Sequence, residues 1–508
     1  MNLADLNLAD PLDHHAAARP DHVALEQGDR IITHAEFRDQ VRRSAAHLAG
    51  LGLAPGDVVG VALRDHLDHL VLMYALARAR LAMLPIDWRW SPVEKERVAQ
   101  HFGARLVLVE EGDCVAGARC AAVDAAWHEA VARAPQRGIG EFESRGDDPL
   151  LLSLSSGTTG RPKGPMVSHR QFLARFWAHW IDLELNGRDR YLSATPVYFG
   201  GGRSFCMSVL FAGGTVIQFP PPWEPEALVD EVARRRATSL FLVPTLLRRL
   251  LALPDRALTG MKSMRLLLSS GSALEREERR EIRERLCANF CEYYASTEGG
   301  GISLNTPADQ DRHPDSVGRA IFGVDIEIVD EAHRVLPRGE TGLLRYRGPG
   351  CATAFYRDPQ ASAEAFRDGW FYPGDLACLD AEGFVFLRGR AKDMIIRGGI
   401  NIYPAEIEAA LMAHPQVSDA AVFGVPAKER GEEIAAFVCL KSDIGDDKVS
   451  DADILAWCRE RLAPYKIPAF LRRAPELPRN SAGKILKTEL ARRLAAEAPL
   501  IDTKRSPL

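Results

Sequence analysis

The chain reads as an α/β protein: a large N-terminal domain of helix-covered sheets with a β-rich subdomain, then a small α+β C-terminal domain. Three observations lead there. From residue 22 onward, short apolar runs alternate with longer stretches whose apolar residues recur at helical spacing, the rhythm of a parallel sheet covered by helices. Between residues 317 and 386 the runs shorten and Gly and Pro punctuate them, which reads as strands and turns. From residue 393 a separate set of strands and helices follows a charged, glycine-containing stretch that reads as a linker able to bend.

In chain order, residues 23–25 are a first strand, with a turn at Gly28 and Asp29. Thr33 and Glu36 form a capping box, opening a helix whose face runs through Val41, Ala45, Leu48 and Leu51 to a stop at Gly52. Residues 57–63 are a strand, 67–82 a helix and 106–109 a strand; no polar cluster stands out, so this part reads as scaffold. Residues 149–154 are a buried strand that empties into the loop SSGTTGRPKG at 155–164. Gly157 and Gly160 free its backbone, Ser155, Ser156, Thr158 and Thr159 offer hydroxyls, and Arg161 and Lys163 add charge. Such a loop suits a polyphosphate, although Pro162 rules out the Walker A pattern.

Residues 168–183 read as a helix. The stretch 195–205, TPVYFGGGRSF, carries one Pro, two aromatics and three glycines, and reads as a pocket wall rather than the interior of an element. Arg203 reads first as a cation with a solvent-facing partner and second as a carboxylate contact. Strands at 216–217, 240–243 and 266–268 continue the alternation, and ligands gather at the carboxyl ends of such strands. Residues 269–273 and 292–298 occupy two of those ends. There Tyr294 can stack on a purine, Thr297 can meet a phosphate, and Glu298 offers oxygens to Mg²⁺. Further on, Asp375 follows a Pro-Gly turn and suits the vicinal hydroxyls of a ribose, which Arg390 can also reach. Residues 404–413 and 451–462 read as helices, 420–425 and 435–440 as strands, and Lys484 sits after Gly483 on a turn from which its ammonium could meet a phosphoryl or carboxylate oxygen.

Composition narrows the function. The 508 residues exceed one ordinary core. Lys and Arg number 64 against 69 Asp and Glu, a net charge of −5 with no long single-sign block, which argues against nucleic acid as a partner. The first residues lack a signal peptide's basic start, and no run is apolar enough to span a bilayer. Nine scattered cysteines read as reduced thiols, and the expected location is cytoplasmic.

The motifs SSGTTGRPKG, YYASTE, WFYPGD, GRAKDMIIRGGINIYPAEIE and NSAGKILK, in this order and spacing, resemble the adenylate-forming superfamily of acyl-CoA synthetases, nonribosomal-peptide adenylation domains and beetle luciferase. The similarity extends over essentially the whole chain. It implies an N-terminal domain of residues 1–389, a hinge at 390–392 centred on Lys392, and a mobile C-terminal domain of residues 393–508. It implies two half-reactions: a carboxylate attacks the α-phosphorus of Mg·ATP to give acyl-AMP and pyrophosphate, and the thiol of coenzyme A then displaces AMP. By the same resemblance Ser155, Ser156, Thr158, Thr159 and Lys163 hold phosphates, and Tyr294 stacks on adenine bordered by Gly271, Ser272 and Ala273. Thr297 touches the α-phosphate, Glu298 binds Mg²⁺, and Asp375 and Arg390 take the ribose. Lys484 bridges the acyl carboxylate and α-phosphate, and Arg397, Gly398 and Gly399 face the coenzyme A side.

The acyl pocket is expected from Tyr198, Phe199, Gly200, Gly201, Gly202, Arg203, Ser270 and Ala295. Phe199 replaces a tunnel-side His of many relatives, and Ala295 replaces a common Gly. No Asp stands where amino-acid-activating domains bind an ammonium, so the expected substrate is a small to medium organic acid. The alternatives are loading of a carrier-protein phosphopantetheine and a catalytically silent nucleotide-binding homologue. The context of Lys484 resembles that of synthetases silenced by acetylation, which makes a lysine acetyltransferase an expected partner, alongside a homodimeric assembly.

Overall fold

A computed structural model describes residues 5–135, 146–154, 163–397, 400–427, 431–441, 449–479 and 485–497. The chain divides into two compact units, one of residues 1–326 and 346–371, the other of residues 327–345 and 372–508. The expected hinge at 390–392 lies inside the second unit's sequence.

The first unit is built on two sheets. In the nine-stranded sheet, Phe290–Ser296, Leu266–Ser269, Ser239–Phe241, Arg190–Ser193, Thr215–Gln218 and Val23–Gln27 run parallel in that spatial order. Antiparallel strands close both edges: Gly300–Asn305 and Arg319–Ala320 on one side, Arg30–Thr33 on the other. The six-stranded sheet places Cys120–Ala122, Leu106–Val109, Val58–Ala62, Ala82–Pro85 and Pro149–Leu152 in parallel, with Met166–Ser168 antiparallel at its edge.

A layer of helices is buried between the two sheets. Helices His34–Gly50, Leu67–Arg78, His169–Ile181 and Gly200–Phe211 share one core with residues of both, among them Leu25, Tyr191 and Phe241 of one sheet and Val59, Met83 and Leu108 of the other. Ten of the twelve residues of Leu67–Arg78 are buried, as expected of a helix covered on every side. The outer faces carry separate cores: Leu192, Ile217 and Leu240 under Pro225–Arg235 and Pro244–Leu251, and Val58, Leu84 and Val107 under Pro92–Phe102.

The capping box forms as read: Thr33 Oγ1 accepts the Glu36 N–H at 3.3 Å, and Glu36 Oε2 accepts the Thr33 N–H at 2.8 Å. Two expectations are corrected. The helix expected over 67–82 ends at Arg78, because Arg80 takes a left-handed φ of 58° and Ala82–Pro85 is a central strand. The stretch 195–205, expected as a pocket wall outside any element, enters a helix that the glycines at 200–202 open; a Cβ on Gly201 would fall 2.9 Å from Phe241, and one on Gly202 2.5 Å from the Pro196 carbonyl.

In the second unit, Asp375–Leu379 pairs antiparallel with Val385–Arg390 and with the start of Gly342–Arg347. The long hairpin Val417–Ala427 and Gly431–Leu440 joins Ile395–Arg397, Ile400–Ile402 and Phe470–Arg473, with helices Pro404–Met412, Asp451–Arg459 and Lys487–Glu497 beside it. All nine cysteines are free. Among the described residues no helix is long and apolar enough to cross a membrane.

Burial of imidazoles sets the pH dependence of stability. Desolvation lowers His34 and His169 to about 4 and His69 and His179 to about 3. The unfolded chain protonates these rings near their ordinary value of 6.5, so stability is present above that pH and is lost as pH falls towards 4. Asp65 and Glu292, pushed up by burial to about 6 and about 7, give the opposite slope but are outnumbered. The melting temperature is expected to fall as pH drops from 6.5 towards 4, and His179→Phe to make that fall less steep; calorimetry across the range checks both.

Candidate functional site

Strand Phe290–Ser296 and its antiparallel neighbour Gly300–Asn305 enclose a tight turn at the carboxyl edge of the nine-stranded sheet, and Thr297 and Glu298 occupy it. Alternation along the strand sends Tyr293 into the helical layer, against His179 and Phe205, and leaves Tyr294 half-buried on the opposite face. A register shift between Tyr294 and Ala295 follows. Ser296 Oγ accepts the N–H groups of Glu298 and Gly299 at 3.2 and 3.1 Å, and it hydrogen-bonds the Tyr346 hydroxyl.

The turn is fixed from below by Arg175, which helix His169–Ile181 carries on its buried face. Its guanidinium donates through Nε to the Gly350 carbonyl at 2.9 Å, through Nη1 to Thr297 at 3.3 Å and through Nη2 to Glu298 at 2.8 Å. The Ala352 N–H also reaches the Glu298 carbonyl, at 2.9 Å. Gly299, Gly300 and Gly301 allow the close approach: a Cβ on each would lie within 2.9 Å of Tyr346, Arg175 and Tyr293 respectively, and Gly300 has a φ of 77°. Glu298 is buried to 8% exposure in this frame. Among the described residues no group of three or more His, Cys, Asp or Glu is placed to hold a metal ion.

Next along the same edge, Ser269 pairs with Glu292 in register, and Ser270 to Ala273 continue beyond it. Ser270 is half-buried, and Gly271, Ser272 and Ala273 are exposed, Gly271 with a φ of 106° that favours glycine. The 196–203 segment follows strand Arg190–Ser193. Phe199 and Gly200 are exposed, while Tyr198 and Gly201 are half-buried. Arg203 is buried to 3% exposure, which corrects the expectation of a solvent-facing partner: its Nη1 donates to the carbonyls of Val197 at 3.1 Å and Tyr198 at 2.8 Å.

The first part of the chain contributes here too, against its reading as scaffold alone. Asp65, beyond strand Val58–Ala62, accepts the Val197 N–H at 2.7 Å. Asp87, beyond Ala82–Pro85, binds Arg89, whose Nη2 donates to the Tyr198 hydroxyl. The carboxyl ends of the two sheets therefore meet around this loop. Sequence reasoning missed Arg175, Ser296, Tyr346, Asp65 and Arg89. The signal for Arg175 was its place on the stripe Phe172, Phe176, His179, and for Asp65 and Asp87 their position just past apolar strands.

Of the loop 155–164, residues Ser155, Ser156, Thr158 and Thr159 lie outside the described residues; Lys163 is half-buried, and a Cβ on Gly164 would lie 2.5 Å from the Ser153 carbonyl. In the second unit Asp375 and Arg390 are cross-strand partners, joined by an ion pair of 2.8 Å, and Arg390 Nη1 donates to the Pro373 carbonyl at 2.7 Å. Lys392 is exposed in a single turn, Ala391–Asp393. Arg397 pairs with Glu433 at 2.7 Å and donates to the Tyr465 carbonyl, an inward role in its own unit. Gly398, Gly399 and Lys484 lie outside the described residues; Arg479 and Ile485, which flank the segment of Lys484, form an antiparallel bridge.

The family model for AMP-binding enzymes matches residues 12–356, and that for the AMP-binding enzyme C-terminal domain matches residues 406–484. The chain is 32% identical to a feruloyl-CoA synthase from an Amycolatopsis species over 94% of its length and 97% of the relative's. It is 30% identical to a 2-succinylbenzoate–CoA ligase of Geobacillus kaustophilus, over 95% and 97%. The crystal structure of ATP-bound MatB from Rhodopseudomonas palustris superposes with a TM-score of 0.88 at 30% identity, covering 96% of this chain and 99% of that one. With both family models matched in order and full-length relatives of this kind, the chain belongs to the AMP-binding enzymes, the adenylate-forming superfamily, in its acyl-CoA synthetase branch.

Proposed function

We propose that the protein is an AMP-forming acid–thiol ligase, which activates a carboxylic acid with ATP as an acyl-AMP and passes the acyl group to coenzyme A. The observation that carries this reading is the Tyr294–Glu298 turn, held by Arg175 at the carboxyl edge of a parallel sheet in a chain of this family. A free carboxylate resists attack by a thiol because its leaving group is poor. Joining it to AMP supplies a good leaving group, and pyrophosphate departs in the exchange.

In this reading Tyr294 presents a flat face to adenine beside Gly271, Ser272 and Ala273, and Thr297 offers its hydroxyl to the α-phosphate. Glu298 would hold Mg²⁺, which supplies charge neutralisation to the phosphates when bound. Ser155, Ser156, Thr158, Thr159 and Lys163 hold the outer phosphates, and Asp375 with Arg390 binds the ribose hydroxyls. Lys484 stabilises the charge that develops between acid and α-phosphorus, Lys392 is the hinge residue, and Arg397 to Gly399 serve the coenzyme A step. The acid is organic and of small to medium size, bound by Tyr198, Phe199, Gly200, Gly201, Arg203, Ser270 and Ala295. The names of the relatives, which specify feruloyl and 2-succinylbenzoate groups, support an acid of this kind. We place the enzyme in the cytoplasm, where its nine free thiols stay reduced.

A panel of carboxylic acids, read by acid-dependent pyrophosphate exchange and by AMP release with and without coenzyme A, tests the reading. Exchange with at least one acid, and AMP release that needs coenzyme A, is expected; no exchange with any acid would sink it. Arg175→Met should leave the carbonyls of Thr297 and Gly350 without this donor, at a cost of about 1–3 kcal/mol each, and leave the Glu298 carbonyl with the Ala352 N–H alone. Exchange is then expected to slow by roughly ten- to a hundredfold through a displaced turn, with Arg175→Lys rescuing little because an ammonium cannot span the three carbonyls. Unchanged exchange in Arg175→Met would remove Arg175 from the positioning machinery.

A further inference from the structure

Two guanidinium groups are buried in the helical layer of the first unit, and their surroundings differ. All three nitrogens of Arg175 reach backbone carbonyls. Arg203 has only Nη1 so engaged; its Nε is buried with no hydrogen-bond partner, and among the described residues no carboxylate pairs with it. Burial pulls its pKa down to about 9, so it is still a cation at neutral pH. A buried cation whose donors are not all met is costly, and an anion would complete this one where carbonyls complete Arg175.

The surroundings of Arg203 are suited to an anion. It lies in the first turn of the twelve-residue helix Gly200–Phe211, whose N-cap residue, Phe199, gives no side-chain cap, so the positive end of the helix dipole is not countered there. Thr195 Oγ1 and both amide atoms of Gln218 are also buried without partners, at 3% and 2% exposure. These groups are neighbours in the fold. Gln218 is the register partner of Ser193 on the adjacent strand, two residues before Thr195, and Gly202 packs against Thr195. The acidic side chains at this loop are already committed: Asp65 to the Val197 N–H and Asp87 to Arg89. His69, the buried ring whose pKa Arg203 helps to depress, stays neutral.

We infer that Arg203 receives a second carboxylate on the acid that the enzyme activates, so that the substrate class is a dicarboxylic acid, with Thr195 and Gln218 able to take up its remaining hydrogen bonds. The inference rests on the ligase reading above. One carboxylate of such a substrate reacts with ATP, and the other is held by charge at Arg203, which fixes the substrate's orientation.

The test uses the full-length enzyme and matched acids, aliphatic and aromatic, in which a terminal methyl is exchanged for a carboxylate. The wild type is expected to favour the dicarboxylate in kcat/KM by roughly thirtyfold or more, the scale of a buried charge pair. Arg203→Met is expected to erase that preference mainly through KM, and Arg203→Lys to restore part of it. A wild type that favours the monocarboxylates overturns the inference, as does an Arg203→Met enzyme that loses both members of each pair equally, which would mark Arg203 as a clamp on the Val197 and Tyr198 carbonyls only. Should Arg203→Met not fold, the wild-type preference and Arg203→Lys decide between these outcomes. Failure of every acid to support pyrophosphate exchange would instead overturn the ligase reading itself.

Discussion

A guanidinium sealed beneath a glycine turn holds together the part of the molecule where its chemistry is expected. Arg175 replaces water for three backbone carbonyls that a tight turn cannot satisfy by itself, two in the Thr297–Glu298 turn and one at Gly350. The glycines at 299–301 follow from that choice, since any side chain there would collide with Tyr346, Arg175 or Tyr293. The turn can then present Thr297 and Glu298 without a flexible backbone under them. Burial of the helical layer sets the terms: a helix packed between two sheets carries this cation into the interior at low cost because backbone carbonyls receive its donors.

Much of the architecture was legible because it follows from local rules. The strand-helix rhythm gave the parallel sheets, and the capping box at Thr33 and Glu36 marked a helix start to the residue. Where the reading failed, tertiary packing overrode the local pattern. Helix Leu67–Arg78 and strand Ala82–Pro85 are both apolar on all faces, so no change of period marks the boundary between them; the left-handed Arg80 makes the break, and nothing in its side chain announces that. The glycines at 200–202 read as pocket wall rather than helix because propensity penalises glycine in a helix. Here close approach to Phe241 and to the Pro196 carbonyl outweighs propensity, since only a residue without a Cβ can bring the helix start so near to the sheet.

The site divides in the same way. Motif order singles out Tyr294, Thr297 and Glu298 as candidates, because their neighbours in sequence carry the pattern. The residues that position them were hidden because their partners are distant in sequence: Arg175 acts more than a hundred residues away, and Asp65 reaches Val197 across 132 positions. An isolated charge on an apolar helical stripe was the one visible trace of Arg175, and it could be read only once the buried face was known.

The buried arginines of the two units show why residue type alone does not assign a role. Arg397 stands in a glycine-containing motif that the resemblance gives to the coenzyme A step, yet its guanidinium pairs with the buried carboxylate of Glu433 and a carbonyl of its own unit. Loss of either partner of such a pair costs about 3–5 kcal/mol, so that arginine also supports the integrity of its own unit. Arg175 spends its donors on backbone, and its effect is on geometry. Arg203 is buried like Arg175, more deeply than Arg397, but has neither a carboxylate nor a full set of carbonyls. Three identical side chains thus separate by what their nitrogens meet: a fixed anion, a fixed backbone, or a gap whose polarity matches an incoming one.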